Sequence, residues 1–201
     1  MSGLGGEPRL FQRFGELLEY PGAGLLEAVR ECEALVAEAA PDAAALLHEF
    51  RDFVQAAPLG RVQEIYSATF DLDAAYHPYV GYHLFGETYK RSVFMVELRE
   101  RYRAQGFVVD RELPDHLAVL LRFLARHGDT SLAGEILREA LLPGLDRMTG
   151  KARSAGYDEE EECSGPQKVR EGQQPYRGVL EALRLTLQRI PAEAASGTAG
   201  S

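Results

Sequence analysis

Side chains able to do chemistry crowd one stretch of the chain. Between Tyr66 and His116 lie Phe70, Asp71, Asp73, Tyr76, His77, Tyr79, Tyr82, His83, Phe85, Glu87, Arg91, Glu112 and Asp115. Acids beside histidines can ligate a metal or pass a proton. Acids beside aromatic rings can seat a peptide that is both apolar and basic. The metal reading finds little support in the spacing. His48, His77, His83, His116 and His127 match no common ligand motif, and His77 and His83 near Asp71 and Asp73 read as hydrogen-bonded residues of an aromatic loop. The chain has no glycine-rich phosphate loop, no Gly-x-Ser-x-Gly elbow and no His-Glu-x-x-His. Cys32 falls on an apolar helical stripe, and Cys163 follows five acids, Asp158 to Glu162, that would raise its pKa. The expectation is no metal, no cofactor and no catalytic group. An all-α metal-dependent enzyme and a structural or regulatory helical protein stand as alternatives.

The elements that must position these residues are helical. Apolar residues recur at three and four in Leu10–Leu18, Leu25–Val36, Leu46–Val54 and Val62–Thr69, with breaks at Tyr20-Pro21-Gly22, Pro41 and Pro58. Pro78 predicts the start of a short helix that places Tyr79, Tyr82 and Phe85 on one side. A long helix follows Gly86-Glu87-Thr88 and stops at Gly106, with Phe94, Leu98 and Tyr102 in line. Leu117, Leu120, Leu121 and Leu124 mark an amphipathic stripe. Leu132 to Met148 reads as one helix that Pro143 bends or divides. No alternating strand pattern appears. The fold class is all-α, a single-domain helical bundle: residues 1–155 the main bundle, 156–174 a flexible acidic linker, 175–190 a C-terminal helix docking back, and 191–201 a disordered tail.

Composition narrows the partners. The 201 residues carry 31 acids against 22 basic residues, a formal net charge of −9. That balance disfavours nucleic acid, which needs a basic face. No run approaches the roughly 20 apolar residues of a membrane span. Two cysteines cannot build a disulfide framework. Met1 to Tyr20 carries Glu7, Arg9, Arg13 and Glu16 and does not read as a secretory signal, so the cytoplasm is expected.

Several short motifs, in order, resemble one family. Tyr66-Ser67-Ala68-Thr69-Phe70-Asp71 is similar to the Tyr-x-x-x-Phe-Asp motif of molybdoenzyme assembly chaperones. Tyr82-His83-Leu84-Phe85-Gly86-Glu87 looks like their His-x-x-Gly-Glu element, and Glu112-Leu113-Pro114-Asp115-His116-Leu117 matches their Glu-Leu-Pro-Asp-His-Leu element. Leu17-Leu18-Glu19-Tyr20-Pro21 and Pro175-Tyr176 add to the likeness, which spans roughly residues 10 to 190. The chain departs from it at Tyr89-Lys90-Arg91-Ser92, where an Arg-Asp-Arg-Gly-like run keeps only Arg91. The resemblance is to the NarJ/TorD superfamily of redox-enzyme maturation chaperones, and nearest to the nitrate reductase molybdenum cofactor assembly (delta subunit) group. It implies an all-α, non-enzymatic protein that binds the catalytic subunit of a nitrate reductase or related molybdoenzyme, through its N-terminal peptide. It also implies that this subunit is thereby kept competent for cofactor insertion.

On that expectation the peptide site would comprise Tyr66, Phe70, Asp71, Tyr79, Tyr82, His83, Phe85, Glu87, Arg91, Glu112, Asp115 and His116. The rings offer contact area and the acids meet client Lys or Arg. His83 and His116 offer a pH response. The tyrosines fit a groove and a core equally well, while Phe70 fits a core. A monomer or a domain-swapped dimer is expected, given the long segment before Pro175.

Overall fold

The structure, a computed structural model, describes residues 7–71, 76–109, 111–126, 130–152 and 174–190. Of the expected linker at 156–174, all but Gln174, which begins the last helix instead, lies outside the described residues, as do the tail at 191–201, Asp73, His127 and Cys163. The described chain is helical: α1 (Glu7–Leu17), α2 (Leu25–Val36), α3 (Pro41–Ala56), α4 (Leu59–Phe70), α5 (Val80–Phe85), α6 (Tyr89–Ala104), α7 (Leu117–Arg126), α8 (Thr130–Ile136), α9 (Leu142–Met148) and α10 (Gln174–Leu187). Extended pairing among the described residues is one isolated bridge, Tyr79 with His116. No described helix is long and apolar enough to cross a membrane.

The apolar stripes dictate the packing. Leu10, Phe14 and Leu17 carry α1 onto α2 and α7. Val29, Cys32 and Val36 carry α2 onto α3, and α3 receives α10 through Leu47 and Phe50. Helix α10 also touches α9, α9 packs on α5, and α5 on α6. The buried residues form a continuous core from Leu10 to Leu187, so the described helices make one bundle.

Helix α7 exceeds its expected stripe. Ala118, Val119 and Phe123 are buried along with Leu117, Leu120, Leu121 and Leu124, so its buried face is wider than one stripe. The segment Leu132–Met148 is divided, but ahead of its proline. Residues Leu137–Leu141 form a π turn in which the Leu142 N–H donates to the Leu137 carbonyl. Pro143 has no N–H, and its ring crowds the carbonyl four residues back. Widening the preceding turn relieves that clash.

Candidate functional site

The stretch between Tyr66 and His116 folds into a corner where α4, α5, α6 and the connector before α7 meet. Two backbone hydrogen bonds close it. The Val80 N–H donates to the Asp115 carbonyl and the Leu117 N–H to the Pro78 carbonyl, both at 2.8 Å. This two-rung bridge stacks Tyr79 edge-on against His116, with ring centroids 5.5 Å apart. The Tyr102 hydroxyl of α6 donates to the Pro114 carbonyl at 2.8 Å and pins the same connector from below.

At the centre of the corner lies an ion pair. Asp115 is fully buried, and its Oδ2 accepts from Arg91 Nε at 2.8 Å. The Arg91 guanidinium lies over Tyr79 at 5.3 Å and Tyr82 at 5.9 Å from the ring centroids. Gly81 permits this approach: a Cβ there would stand 2.7 Å from Asp115 Oδ2 and 3.3 Å from Arg91 Cγ. Asp115 Oδ1 is buried and has no hydrogen-bond partner among the described residues. Asp115 and Arg91 therefore meet each other, and the Asp115 carboxylate is not on the surface.

The two histidines are held neutral. His83 Nε2 lies 2.8 Å from the His77 carbonyl oxygen. A carbonyl only accepts, so Nε2 carries the proton. His116 Nδ1 accepts from the Ala118 N–H at 3.2 Å, which leaves its proton on Nε2. Burial pushes both imidazoles down to about 4. A charge change near neutral pH, expected of these residues from the sequence, is therefore not theirs to supply.

Toward solvent the corner is aromatic and acidic. Tyr66 and Phe70 of α4 are buried, and with Phe50 of α3 they cage Tyr176 of α10 at centroid distances of 5.0 to 5.4 Å. The Tyr66 hydroxyl donates to the Leu18 carbonyl, and Gln63 Nε2 donates to the Pro21 carbonyl. Together they fix the turn that holds Tyr20 edge-on to Tyr66 while leaving it 60% exposed. Asp71 ends α4 and is exposed, as is Glu112. Shielding at the corner, then the charge of Asp71, hold the Glu112 carboxyl above the usual carboxylate range. Burial, then the charges of Asp71, Glu112 and Glu19, raise the Tyr66 hydroxyl; burial, then Glu112, raise that of Tyr79.

The expected site residues thus divide into layers. Tyr66 and Phe70 are core, buried Asp115 and His116 with half-buried Arg91 are a support, and Tyr79, Tyr82, His83 and Phe85 are half-buried wall. Asp71 and Glu112 form the open acidic rim. Phe85 turns toward Phe94 of α6, at 5.5 Å, and Glu87 is exposed in the turn between α5 and α6. Tyr20 belongs to the face although it was not among the expected site residues. Its signal lay in Leu17–Pro21, a segment read only as a helix stop and a family likeness. No group of three or more His, Cys, Asp or Glu that could hold a metal occurs among the described residues.

This arrangement defines an all-α bundle that carries an acidic, aromatic face beside the Arg91–Asp115 ion pair. The profile of the nitrate reductase delta subunit family matches residues 36–146, more than half of the chain and the whole of the corner, and the chain belongs to that family. It is 38% identical over 115 residues to the nitrate reductase molybdenum cofactor assembly chaperone NarJ of Escherichia coli (strain K12), covering 55% of this chain and 48% of that protein. It is 33% identical over 81 residues to the probable NarJ chaperone of Bacillus subtilis (strain 168), covering 40% of this chain and 44% of that one. With the probable chaperone NarW of Escherichia coli (strain K12) it shares 30% identity over 150 residues, 74% of this chain and 63% of the relative. The chain spans about half the length of the first two relatives. All three are named as assembly chaperones and none as an enzyme.

Proposed function

We propose that this chain is a cytoplasmic assembly chaperone, not an enzyme. Its client is the catalytic subunit of a nitrate reductase or related molybdoenzyme, and it keeps that subunit competent for molybdenum cofactor insertion. It engages the client through an N-terminal peptide laid on the face of Tyr20, Tyr79, Asp71 and Glu112. The observation that carries this reading is the pairing of an exposed tyrosine with two open carboxylates that have no cationic partner among the described residues. Family membership supports the client class.

The chemistry suits an amphipathic basic helix. Tyrosine rings give apolar contact at small entropic cost. Two like charges held together are relieved when a Lys or Arg arrives. Glu112→Gln with Asp71→Asn is expected to leave the fold intact and weaken binding of a synthetic client N-terminal peptide about two- to fivefold, the range of exposed ion pairs. Wild-type binding should also weaken as pH falls through the raised pKa of Glu112, because the acid that meets the cation becomes neutral. Calorimetric titration reads both effects. Unchanged affinity in the folded double variant removes the peptide from this face, and capture of no molybdoenzyme subunit from the native host removes the client class.

A further inference from the structure

We infer that the pair of half-buried Arg91 and buried Asp115 sets the geometry of the client face, and that Arg91 acts there as a positioning residue. This inference rests on the reading of the face given above. One guanidinium joins three elements. It leaves α6, donates to the connector before α7 through Asp115, and lies over two rings, Tyr79 just ahead of α5 and Tyr82 within it. The first half of α6 has few other anchors. Its buried side chains are Leu98 and Tyr102, in the second half, while Tyr89, Val93 and Val96 are exposed. Arg91 and half-buried Phe94 tie the start of α6 to α5, beside the Thr88 hydroxyl that donates to the Phe85 carbonyl.

Stability alone is a poor reason for such a pair. Desolvating two charges roughly cancels their attraction unless every lone pair is satisfied. Here Asp115 Oδ1 has no hydrogen-bond partner among the described residues. What the pair does supply is direction. A planar guanidinium fixes a carboxylate at its Nε edge and a ring on its face at the same time. A lysine ammonium can answer the charge of Asp115 but offers no plane to Tyr79 and Tyr82. Gly81 marks the same requirement from the other side, since any side chain there would meet both partners.

The test uses the full chain and a synthetic N-terminal peptide of a nitrate reductase catalytic subunit. Arg91→Met with Asp115→Asn removes both charges together, so that neither is left buried alone. The Tyr79 and Tyr82 ring resonances should move in this variant without peptide. The dissociation constant should rise roughly tenfold, as for a misplaced but intact contact surface. Arg91→Lys should fold and still show displaced rings and weakened binding, and it carries the test should the double variant unfold. Unmoved rings overturn the inference whatever the peptide does. So does wild-type affinity in folded Arg91→Met/Asp115→Asn alongside weakened binding in Glu112→Gln/Asp71→Asn, an outcome that leaves the face itself standing. Wild-type affinity in Glu112→Gln/Asp71→Asn, with displaced rings in Arg91→Lys, instead removes the face and keeps the positioning role.

Discussion

At the scale of residues, the corner separates acids that look alike in the sequence. Glu112 and Asp115 stand three positions apart, yet one is exposed and the other fully buried. Nothing local distinguishes them. The difference is made by Arg91, 24 positions away in sequence, and by the gap that Gly81 leaves. Composition and motif therefore marked a set of side chains that the fold gathers at one corner, without ordering them into core, support and rim. The pair predicts an asymmetry. Arg91→Met leaves a carboxylate with no exposure and no counter-charge, and is expected to cost about 3–5 kcal/mol. Asp115→Asn leaves a guanidinium whose side chain is 14% exposed and can reach water, and should cost about 1–2 kcal/mol. Urea unfolding at neutral pH measures both. Equal losses would mean that the carboxylate is solvated and the support is not the pair described.

At the scale of elements, most helices were legible because their apolar residues recur at three and four and their ends carry Pro or Gly. The exceptions follow from tertiary context. Helix α7 reads as a one-sided stripe, but burial spreads past it to Ala118, Val119 and Phe123 while Arg122 stays exposed, and a sequence pattern counts large apolar residues better than small ones such as Ala118. Pro143 announces a break, but the turn that absorbs it, Leu137–Leu141, carries no residue signature of its own. The α5–α6 junction is clearer. Gly86 has φ 61° and ψ −158°, a region essentially closed to side chains, and its N–H closes α5 on the Tyr82 carbonyl at 2.8 Å. The Thr88 hydroxyl then donates to the Phe85 carbonyl. Gly86→Ala should thus destabilise the protein by about 1–3 kcal/mol through backbone strain, while Gly22→Ala, with open space around the Cβ, should change it by less than about 0.5 kcal/mol. Thermal unfolding of the two variants side by side reads the difference, and equal midpoints would show that the corner relaxes.

At the scale of the whole molecule, charge and burial predict opposite responses to mild acid. A chain of net charge −9 repels itself, and acidification toward its pI of about 5.1 relieves that repulsion. Taken alone, this raises stability as pH falls. His83 and His116 act the other way. Burial lowers both from 6.5 to about 4, so between those values the unfolded chain binds two protons that the folded chain refuses. Stability then falls as pH drops from about 6.5 to about 4 and levels off below, by on the order of 2–3 kcal/mol for each histidine. Ion-paired carboxylates cannot mimic this effect. Glu31 and Glu181 are held below 4.5 by hydrogen bonds to Arg9 and Arg184, so their share is lost only at lower pH. The unfolding midpoint in urea is expected to fall between pH 7 and pH 5, against the direction that net charge dictates. His83→Gln keeps an N–H near the His77 carbonyl, and His116→Asn keeps an acceptor for the Ala118 N–H; together they should flatten the fall. A midpoint that rises on acidification, or an equal fall in the double variant, would show that these imidazoles titrate in the folded protein as they do in the unfolded chain.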